Sequence, residues 1–373
     1  MNNITKLLKD EKVQWKTLGE VAELKKGKQL NKEKLTEVGK YPAYNGGISY
    51  SGFTDSYNYN ENTIIISQGG ASAGFVNFIT EKFYANAHCY VVLPNSKITI
   101  NRYVYHYLKL NQEKLTGKQH GAGIPALRTS EILDLKIPIP PLHIQQEIVA
   151  ILDKFTELTA ELTAELTARK KQYDYYREQL LSVDDKGLMN GVKAEWKTLG
   201  EVVIFQRGKR LVKSQLEETG KYAVYQNAMT PLGYYHESNV KANSTFIICA
   251  GAAGEIGFSD VEYWAADDVH YCITPENINN KYLYYFLQTQ QNRILSQVRR
   301  ASVPRLSKSV LEKLKIPIPP LSEQERIVAI LDKFDTLTTS ISEGLPREIA
   351  LRQKQYEYYR EQLLDFPKNN IES

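Results

Sequence analysis

The sequence consists of two copies of one unit in tandem, and this duplication limits the possible architecture more than any other feature. Three motifs occur once in each copy, about 180 residues apart: Trp-Lys-Thr-Leu-Gly-Glu-Val at 15–21 and 196–202, Lys-Ile-Pro-Ile-Pro-Pro-Leu at 136–142 and 315–321, and Lys-Gln-Tyr-x-Tyr-Tyr-Arg-Glu-Gln-Leu-Leu at 171–181 and 354–364. Such a period is far longer than the roughly 20–50 residues of solenoid repeats. The sequence therefore predicts two large duplicated units rather than an array of small ones.

Each copy begins with a segment of mixed character. Apolar runs such as residues 63–67 and 89–93 alternate with Gly and Asn turns, and residues 102–111 have the spacing of one amphipathic helix. This pattern predicts a globular domain of the α/β or α+β type. Its boundaries are expected at 12–140 in the first copy and at 193–319 in the second.

A long helical segment follows each domain. Residues 145–181 contain neither Gly nor Pro, and their apolar positions recur every three or four residues, as in a coiled-coil seam. The second segment opens with a capping-box pattern at 322–325, and Gly-Leu-Pro at 344–346 is predicted to kink or break it. Because an apolar stripe needs a partner helix, we expect helices at 141–183 and 320–365 to pack antiparallel about a pseudo-twofold axis. The predicted fold is α+β, with two duplicated globular domains separated by two long antiparallel coiled-coil helices.

Charge is distributed unequally along the chain. Residues 12–135 hold 15 Lys and Arg against 10 Asp and Glu, and residues 193–314 hold 15 against 12. The helical segments are weakly acidic, with 7 against 9 at 136–192 and 8 against 10 at 315–373. Basic loops interleaved with Tyr, Asn, Gln and Gly suit phosphate contacts together with hydrogen bonds to base edges. Solvated surface is the alternative explanation for any single basic cluster.

Sequence signatures of catalysis are absent. The chain has no phosphate-binding P-loop, no His-Glu-x-x-His, no Gly-x-Ser-x-Gly, and no Asp/Asn-Pro-Pro-aromatic motif of the adenine amino-methyltransferases. The Gly-rich loops at 69–74 and 251–254 lack the Gly-x-Gly-x-x-Gly spacing, which favours tight turns over nucleotide binding. We therefore assign this chain no catalytic residue and no cofactor.

Two histidines are possible metal ligands. His88 and His270 occupy near-equivalent places in the two copies, each with a cysteine nearby. A metal site needs more ligands than such a pair offers, so core or turn roles are favoured and no metal is expected. The pair at 267–268, Asp-Asp, is matched with Ala-Asn at 85–86 in the first copy, which weakens a duplicated catalytic role.

The expected location is the cytoplasm. The three cysteines form no Cys-x-x-Cys pair, and the polar N-terminus lacks the apolar region of a signal peptide. No apolar run approaches the roughly 20 residues of a membrane span. We therefore expect a reducing compartment and no membrane partner.

The order and duplication of the motifs resemble a known family. Two variable domains, each closed by Lys-Ile-Pro-Ile-Pro-Pro-Leu and a Gln-rich helix start, look like the specificity subunit of a type I restriction-modification system. Gly-Ile-Pro-Ala-Leu at 123–127 and Ser-Val-Pro-Arg-Leu at 302–306 look like the late loop of each target-recognition domain of that family. The similarity extends over nearly the whole chain.

The resemblance implies a non-catalytic subunit that reads a split double-stranded DNA target, one half-site per domain. It implies two modification subunits as partners, which would carry S-adenosylmethionine and methylate adenine N6. Restriction subunits that use ATP and Mg²⁺ are further implied partners. The segments at 141–183 and 320–365 would then be the conserved spacer helices on which the modification subunits bind.

Candidate site residues follow from the basic and amide-rich loops and from the helix seams. The candidate DNA contacts are Lys25, Lys28, Asn45, Gln68, Ser72 and Arg128 in the first domain and Arg207, Lys209, Arg210, Asn227, Arg300 and Arg305 in the second. The candidate partner-binding residues of the spacer helices are Ile148, Phe155, Leu158, Leu162, Ile327, Phe334 and Leu337.

A short internal repeat suggests how the two domains are spaced. Glu-Leu-Thr-Ala occurs three times in succession at 157–168. Adding or removing one such unit would move one end of a helix by about 6 Å and rotate it by about 40°. The hypothesis is that the repeat number sets the gap between the two half-sites.

Two other functions are compatible with parts of the sequence. A coiled-coil adaptor with protein-binding domains would bind a partner without protecting specific DNA. An autonomous DNA methyltransferase would use the Gly-rich loops to bind its cofactor, but the missing Pro-Pro-aromatic motif argues against it.

Overall fold

The computed structural model describes residues 13–118, 125–300, 302–340 and 342–367. The chain divides into two compact units, which we call unit 1 (residues 1–162 and 348–373) and unit 2 (residues 163–347). Each unit therefore holds one globular domain, the first part of the helix that follows it, and the last part of the other copy's helical segment. The prediction of two duplicated domains of mixed helix and strand is confirmed.

The domain of unit 1 contains nine strands and four short helices in its described part. They are β1 (Gln14–Thr17), α1 (Leu18–Val21), β2 (Ala22–Lys26), β3 (Tyr41–Tyr44), β4 (Gly52–Thr54), β5 (Thr63–Ser67), β6 (Val76–Ile79), β7 (Tyr84–Ala85), β8 (Cys89–Pro94), α2 (Asn101–Leu110), α3 (Gln112–Thr116), α4 (Thr129–Leu133) and β9 (Lys136–Ile139), with a 3-10 turn at Lys32–Lys34. A helix of 39 residues follows, α5 (Leu142–Leu180).

The domain of unit 2 repeats this order after a short hairpin of β10 (Leu188–Met189) and β11 (Val192–Lys193), which has no counterpart in the described part of unit 1. Its other elements are β12 (Glu195–Thr198), α6 (Leu199–Val202), β13 (Ile204–Arg207), β14 (Tyr222–Tyr225), β15 (Gly233–Tyr235), β16 (Ser244–Ile248), β17 (Ile256–Ser259), β18 (Trp264–Ala265), β19 (Val269–Ile273), α7 (Asn280–Thr289), α8 (Gln291–Ser296), α9 (Lys308–Glu312) and β20 (Lys315–Ile318), with a 3-10 turn at Lys213–Gln215. The helices α10 (Leu321–Thr339) and α11 (Gly344–Leu364) complete the chain.

The two domains have the same strand pairing. In unit 1 a four-stranded antiparallel sheet has the order β2-β8-β5-β6, a three-stranded sheet has the order β4-β3-β7, and β1 pairs with β9. Unit 2 has β13-β19-β16-β17, β15-β14-β18 and β12 with β20. The central strand β5, Thr-Ile-Ile-Ile-Ser, is buried along its whole length because both faces of its sheet are covered.

The amphipathic helix of each domain covers one face of the four-stranded sheet. Tyr103, Val104 and Leu108 of α2 are fully buried, and the Tyr103 hydroxyl donates to the Pro138 carbonyl at 2.8 Å. In unit 2 the Tyr282 hydroxyl makes the equivalent bond to the Pro317 carbonyl at 2.7 Å. The helix predicted at 102–111 is confirmed as Asn101–Leu110.

The helical segments run antiparallel inside each unit. In unit 1 the Phe155 ring of α5 stacks on the Tyr359 ring of α11, with the two centroids 5.1 Å apart. The chain after α11 returns to the domain, where the Trp15 indole N–H donates to the Pro367 carbonyl at 3.2 Å. In unit 2 the Phe334 ring lies 5.6 Å from the Tyr176 ring. Such ring pairs contribute about 0.5–1.5 kcal/mol beyond their buried area.

The predicted break in the second helical segment is confirmed. Helix α10 ends at Thr339 and α11 begins at Gly344, whose φ of +75° is a conformation that favours glycine. The first segment contains no such residue and stays helical from Leu142 to Leu180. Among the described residues, no helix combines the length and the apolar character needed to cross a bilayer.

Candidate nucleic-acid interface

Loops from five separate parts of the domain meet at one end of the four-stranded sheet of unit 1. Because neighbouring strands are antiparallel, the ends of β2 and β5 lie beside the start of β8: Lys26 pairs with Tyr90, and Ser67 pairs with Cys89. We call this end the loop edge; in unit 1 it comprises residues 27–28, 44–47, 68–74, 86–89 and 125–128.

A tight turn lies at the centre of the loop edge. The Cys89 N–H donates to the Asn86 carbonyl at 2.9 Å, which closes a β-turn with Ala87 and His88 in its middle. Three neighbouring loops bond to this turn and to the strand ends beside it. The Asn86 N–H donates to the Tyr44 carbonyl, the Gln68 N–H to the His88 carbonyl at 2.8 Å, and the Gly27 N–H to the Cys89 carbonyl at 2.9 Å.

Unit 2 repeats this arrangement bond for bond. The Val269 N–H closes the turn on the Ala266 carbonyl at 3.1 Å, with Asp267 and Asp268 in its middle. The Cys249 N–H donates to the Asp268 carbonyl at 2.7 Å, and the Gly208 N–H donates to the Val269 carbonyl at 2.9 Å. The loop edge of unit 2 therefore comprises residues 208–209, 225–228, 249–254, 266–269 and 304–307.

Glycine is required where the first loop crosses the turn. A Cβ atom on Gly27 would meet the carbonyl oxygens of Ala85 and Asn86, and one on Gly208 would meet those of Ala265 and Ala266. Because the obstructing atoms belong to the backbone, a side chain cannot be accommodated by a change of rotamer. The close approach brings the basic residues that follow, Lys28 and Lys209, beside the turn.

The last loop of each domain is joined to the Gly-rich loop. In unit 1 the Leu127 N–H donates to the Gln68 carbonyl at 2.8 Å, and the Gly70 N–H donates to the Pro125 carbonyl at 2.9 Å. In unit 2 the Leu306 N–H donates to the Cys249 carbonyl at 2.9 Å. The prediction that the Gly-rich loops form tight turns is confirmed, since Gly70 and Gly74 have φ of +77° and +87°.

The structure brings most of the candidate DNA contacts together. The following lie on the loop edges: Lys28, Asn45, Gln68, Ser72 and Arg128 in unit 1 and Lys209, Asn227 and Arg305 in unit 2. Arg207 joins them, because its Nε donates to the Asp267 carbonyl at 2.6 Å. Arg300 is exposed next to Arg299, whose N–H donates to the Arg305 carbonyl at 2.9 Å.

Two candidates have other surroundings. Lys25 lies on strand β2, one position before its last residue, and its Nζ is 3.1 Å from a carboxylate oxygen of Glu23. Arg210 is exposed on the loop that follows Gly208, one residue beyond the Lys209 N–H that bonds to the Ala265 carbonyl.

The sequence matching of the two turns was wrong by two residues. Strand pairing shows that His88 corresponds to Asp268, because the Gln68 and Cys249 N–H groups bond to their carbonyls. The residue equivalent to His270 is Tyr90. Tyr90 follows Cys89, whose carbonyl accepts from the Gly27 N–H, and His270 follows Val269, whose carbonyl accepts from the Gly208 N–H. The error arises because the offset between copies changes by one or two residues within loops. The turn role favoured for His88 is confirmed.

Buried Cys249 of the loop edge of unit 2 forms a pair with the half-buried His270. The Cys249 Sγ lies 2.8 Å from His270 Nδ1. Burial raises the pKa of the Cys249 thiol to about 12 and lowers the pKa of His270. The thiol is therefore protonated near neutral pH and unsuited to nucleophilic chemistry. The described residues contain no group of three or more His, Cys, Asp or Glu side chains placed to hold one metal ion.

The candidate partner-binding residues pack within their own units. Ile148 and Ile327 are fully buried, and Phe155 and Phe334 are covered by the tyrosine rings described above. Three further members are half-buried along the same helices: Leu158, Leu162 and Leu337. Ile148 and Ile327 thus belong to the cores of their units, while Phe155 and Phe334 join one helical segment to the other.

Comparison with known proteins identifies the family. The model of the type I restriction modification DNA specificity domain matches twice, at residues 10–169 and 192–351. The chain belongs to this family. The two matches coincide with the two copies recognised from the repeated motifs.

Full-length relatives support the same assignment. The specificity subunit of the Escherichia coli type I restriction enzyme EcoR124I/EcoR124II is 36% identical over 409 residues, which covers 99% of this chain and 98% of the relative. A Haemophilus influenzae relative, whose name also describes a type I specificity subunit, is 37% identical over 394 residues and covers 97% and 98%. The crystal structure of the type I restriction-modification S subunit from M. genitalium superposes with a TM-score of 0.68 at 25% identity, covering 97% of this chain and 98% of that one. This chain is thus a specificity subunit, the non-catalytic DNA-recognition component of a type I restriction-modification complex.

Proposed function

We propose that this specificity subunit binds a bipartite DNA target and reads one half-site with each loop edge. The observation that carries the proposal is the repeated convergence of loops. Five separate loops bring basic, amide and hydroxyl side chains to the same end of the sheet in both units. Two similar surfaces in one chain suit a target with two separated halves.

The chemistry of the loop edges suits both parts of DNA recognition. Lys28, Lys209 and Arg305 are exposed and supply charge for phosphate contacts, which provide affinity without sequence preference. Asn45 and Asn227 are exposed and supply paired donors and acceptors of the kind that distinguish base edges. The two sets lie on neighbouring loops that are hydrogen-bonded to the same turn and its adjoining strand, so a phosphate contact on one loop would hold a base-reading side chain on the next in register.

The proposed complex contains two adenine-N6 methyltransferase subunits, and restriction subunits join it. Exposed apolar residues that are identical in both copies favour this stoichiometry. Leu142 and Leu321 are 41% and 39% exposed, and Tyr175 and Tyr358 are 60% and 59% exposed. By contrast, Ile204, which is 65% exposed, is replaced by Glu23 at the equivalent place in strand β2. One partner surface can therefore recognise both copies.

The spacing hypothesis agrees with the position of the Glu-Leu-Thr-Ala repeat. Residues 157–168 lie within α5, and the boundary between unit 1 and unit 2 falls between Leu162 and Thr163, inside the repeat. The buried residues of α5 all lie before the repeat, the last of them being Leu152. A change in repeat number would therefore leave the core of each domain intact.

Deletion of one repeat unit tests the spacing hypothesis. Removing residues 161–164 from the full-length subunit shortens a straight helix by about 6 Å. We expect the two recognised half-sites to keep their sequences while the number of base pairs between them decreases. The measurement is sequencing of N6-methyladenine in DNA from cells that co-express the variant and the modification subunit. An unchanged gap would refute the role of the repeat.

The function as a whole is tested by the same co-expression with the wild-type subunit. A split methylated motif that requires both subunits is the expected result, and exchange of one domain should change one half of the motif. A stable complex without any methylated motif would instead favour the adaptor function. Methylation by this chain alone would contradict the assignment as a non-catalytic subunit.

A further inference from the structure

We propose that the second residue in the middle of each central turn, His88 in unit 1 and Asp268 in unit 2, reads a base of its half-site. Asp268 would accept a hydrogen bond from the exocyclic amino group of cytosine or adenine. His88 would present an imidazole to the equivalent base pair of the other half-site. This inference rests on the DNA-binding function proposed above and identifies specificity residues within it.

The position of the turn supports its role in base reading. It is hydrogen-bonded to the loops that hold Asn45, Gln68 and Lys28, all of which are candidate DNA contacts. The turn is therefore at the centre of the surface that these residues form. The sequence alone did not match His88 with Asp268, because the two copies have different residues in the turn and the offset between them changes within loops.

The turn is also held rigidly by its neighbours. A base-reading side chain must be held at a defined distance from the groove, since specific pairing depends on geometry. The His88 and Asp268 carbonyls each accept a backbone N–H at 2.8 Å and 2.7 Å, and glycine packs directly against the turn in both units. Arg207 adds a bond of 2.6 Å to the Asp267 carbonyl in unit 2.

The Asp268 carboxylate is available to bind a ligand. Asp268 is only half-buried, and within the described part of the chain no donor bonds to its carboxylate and no Lys or Arg forms an ion pair with it. A carboxylate can only accept hydrogen bonds, and it is repelled by phosphate. On a surface that faces DNA, such a group is favourable only where it meets an amino donor, and the major groove offers these on cytosine N4 and adenine N6.

The two copies differ at this turn position, which also supports a role in reading different bases. Lys28 and Lys209 are identical at equivalent positions, as expected for residues that contact phosphate in any sequence. The turn position changes from imidazole, which can donate or accept, to carboxylate, which only accepts. Such a change is expected where two half-sites differ in sequence.

The test uses Asp268→Asn and Asp268→Ala in the full-length subunit, purified as a complex with the modification subunit. DNA duplexes carrying each of the four base pairs at every position of both half-sites are measured for binding, and the methylated motif is sequenced. We expect both variants to lose roughly fivefold to 150-fold of discrimination at one position of the half-site read by unit 2. The other half-site and the salt dependence of binding should be unchanged.

Asp260→Asn is the matched control. Asp260 is exposed and follows β17 at the end of the sheet opposite the loop edge, so the same charge change there should leave recognition unaltered. His88→Asp provides the reciprocal variant, and it should create a preference for an amino-bearing base at one position of the half-site read by unit 1.

The outcomes separate this inference from the proposed function. If the wild-type complex binds a split motif but the Asp268 variants keep every preference, or relax all positions equally, the assignment of the turn is wrong while the DNA-binding function stands. If the wild-type complex binds no DNA, both are refuted.

Discussion

The two units attach their helices to their domains with different polar groups at equivalent positions. In unit 1 the fully buried His106 of α2 lies between two helices: its Nε2 is 2.7 Å from Asp153 Oδ1 on α5, and its Nδ1 is 2.9 Å from the Tyr356 hydroxyl on α11. The guanidinium of Arg102 binds the same carboxylate. One imidazole therefore connects the domain to both helical segments.

Unit 2 keeps the carboxylate but replaces the histidine. The Tyr285 hydroxyl donates to Asp332 Oδ1 at 2.5 Å, and Lys281 Nζ lies 2.8 Å from the same oxygen. Burial, followed by the nearby Asp332 carboxylate, raises the pKa of Tyr285 far above the physiological range, so this group does not titrate there. Duplication thus preserved the attachment, and divergence left a histidine at this position in unit 1 alone.

The largest effect is expected from the feature that the units share, the close packing of glycine on the central turn. Gly27→Ala places a methyl group against two backbone carbonyls, and overpacking of this kind costs about 1–3 kcal/mol. We expect a lower free energy of unfolding and weaker binding to the half-site read by unit 1. Gly69→Ala, where the nearest atom is 3.5 Å away, is the matched control and should be nearly neutral. Equal stability of the two variants, measured by denaturant unfolding, would contradict the required close approach.

The second expected effect is a pH dependence of stability that arises in unit 1 and not at the equivalent position of unit 2. Burial lowers the pKa of His106, opposed by its hydrogen bond to Asp153 and assisted by the charges of Arg102 and Arg360. The unfolded chain therefore binds a proton at a higher pH than the folded chain. Stability from this group is complete above the ordinary histidine pKa of about 6.5 and is lost as the pH falls towards the folded-state value.

His106→Tyr, which copies unit 2, should remove this pH dependence, and Tyr285→His should introduce it into unit 2. The measurement is the free energy of unfolding between pH 7.5 and 5.5. A second loss of stability is expected at lower pH in all variants that keep Asp153. Burial raises the pKa of this carboxyl, but hydrogen bonds from His106 and Arg102 bring it down to about 2. If the free energy of unfolding varied with pH in the same way in the wild-type protein and in the His106→Tyr variant, His106 would not be the source of the pH dependence.

These comparisons also show what the sequence could predict. The repeated motifs, the helix at Asn101–Leu110 and the break before Gly344 followed from local patterns, because spacing and glycine act over a few residues. The convergence of Asn45, Gln68 and Arg128 depended on strand order, which local patterns do not contain. The equivalence of His88 and Asp268 needed the hydrogen-bond register, since loop insertions shift the offset between copies.

The smallest effect on stability is expected at the exposed tyrosines of the helical segments. Tyr358→Ala and Tyr175→Ala remove side chains that are 59% and 60% exposed, so the free energy of unfolding should change by no more than about 0.5 kcal/mol. Binding of the modification subunits should nevertheless weaken, because an exposed aromatic residue repeated in both copies suits an interface anchor. The measurement is the stoichiometry of the purified complex by analytical ultracentrifugation, with Lys171→Ala, an exposed residue on the same helix as Tyr175, as a surface control. Each single variant should lose one of two modification subunits and the double variant should lose both; full occupancy in the double variant would place the partner surface elsewhere.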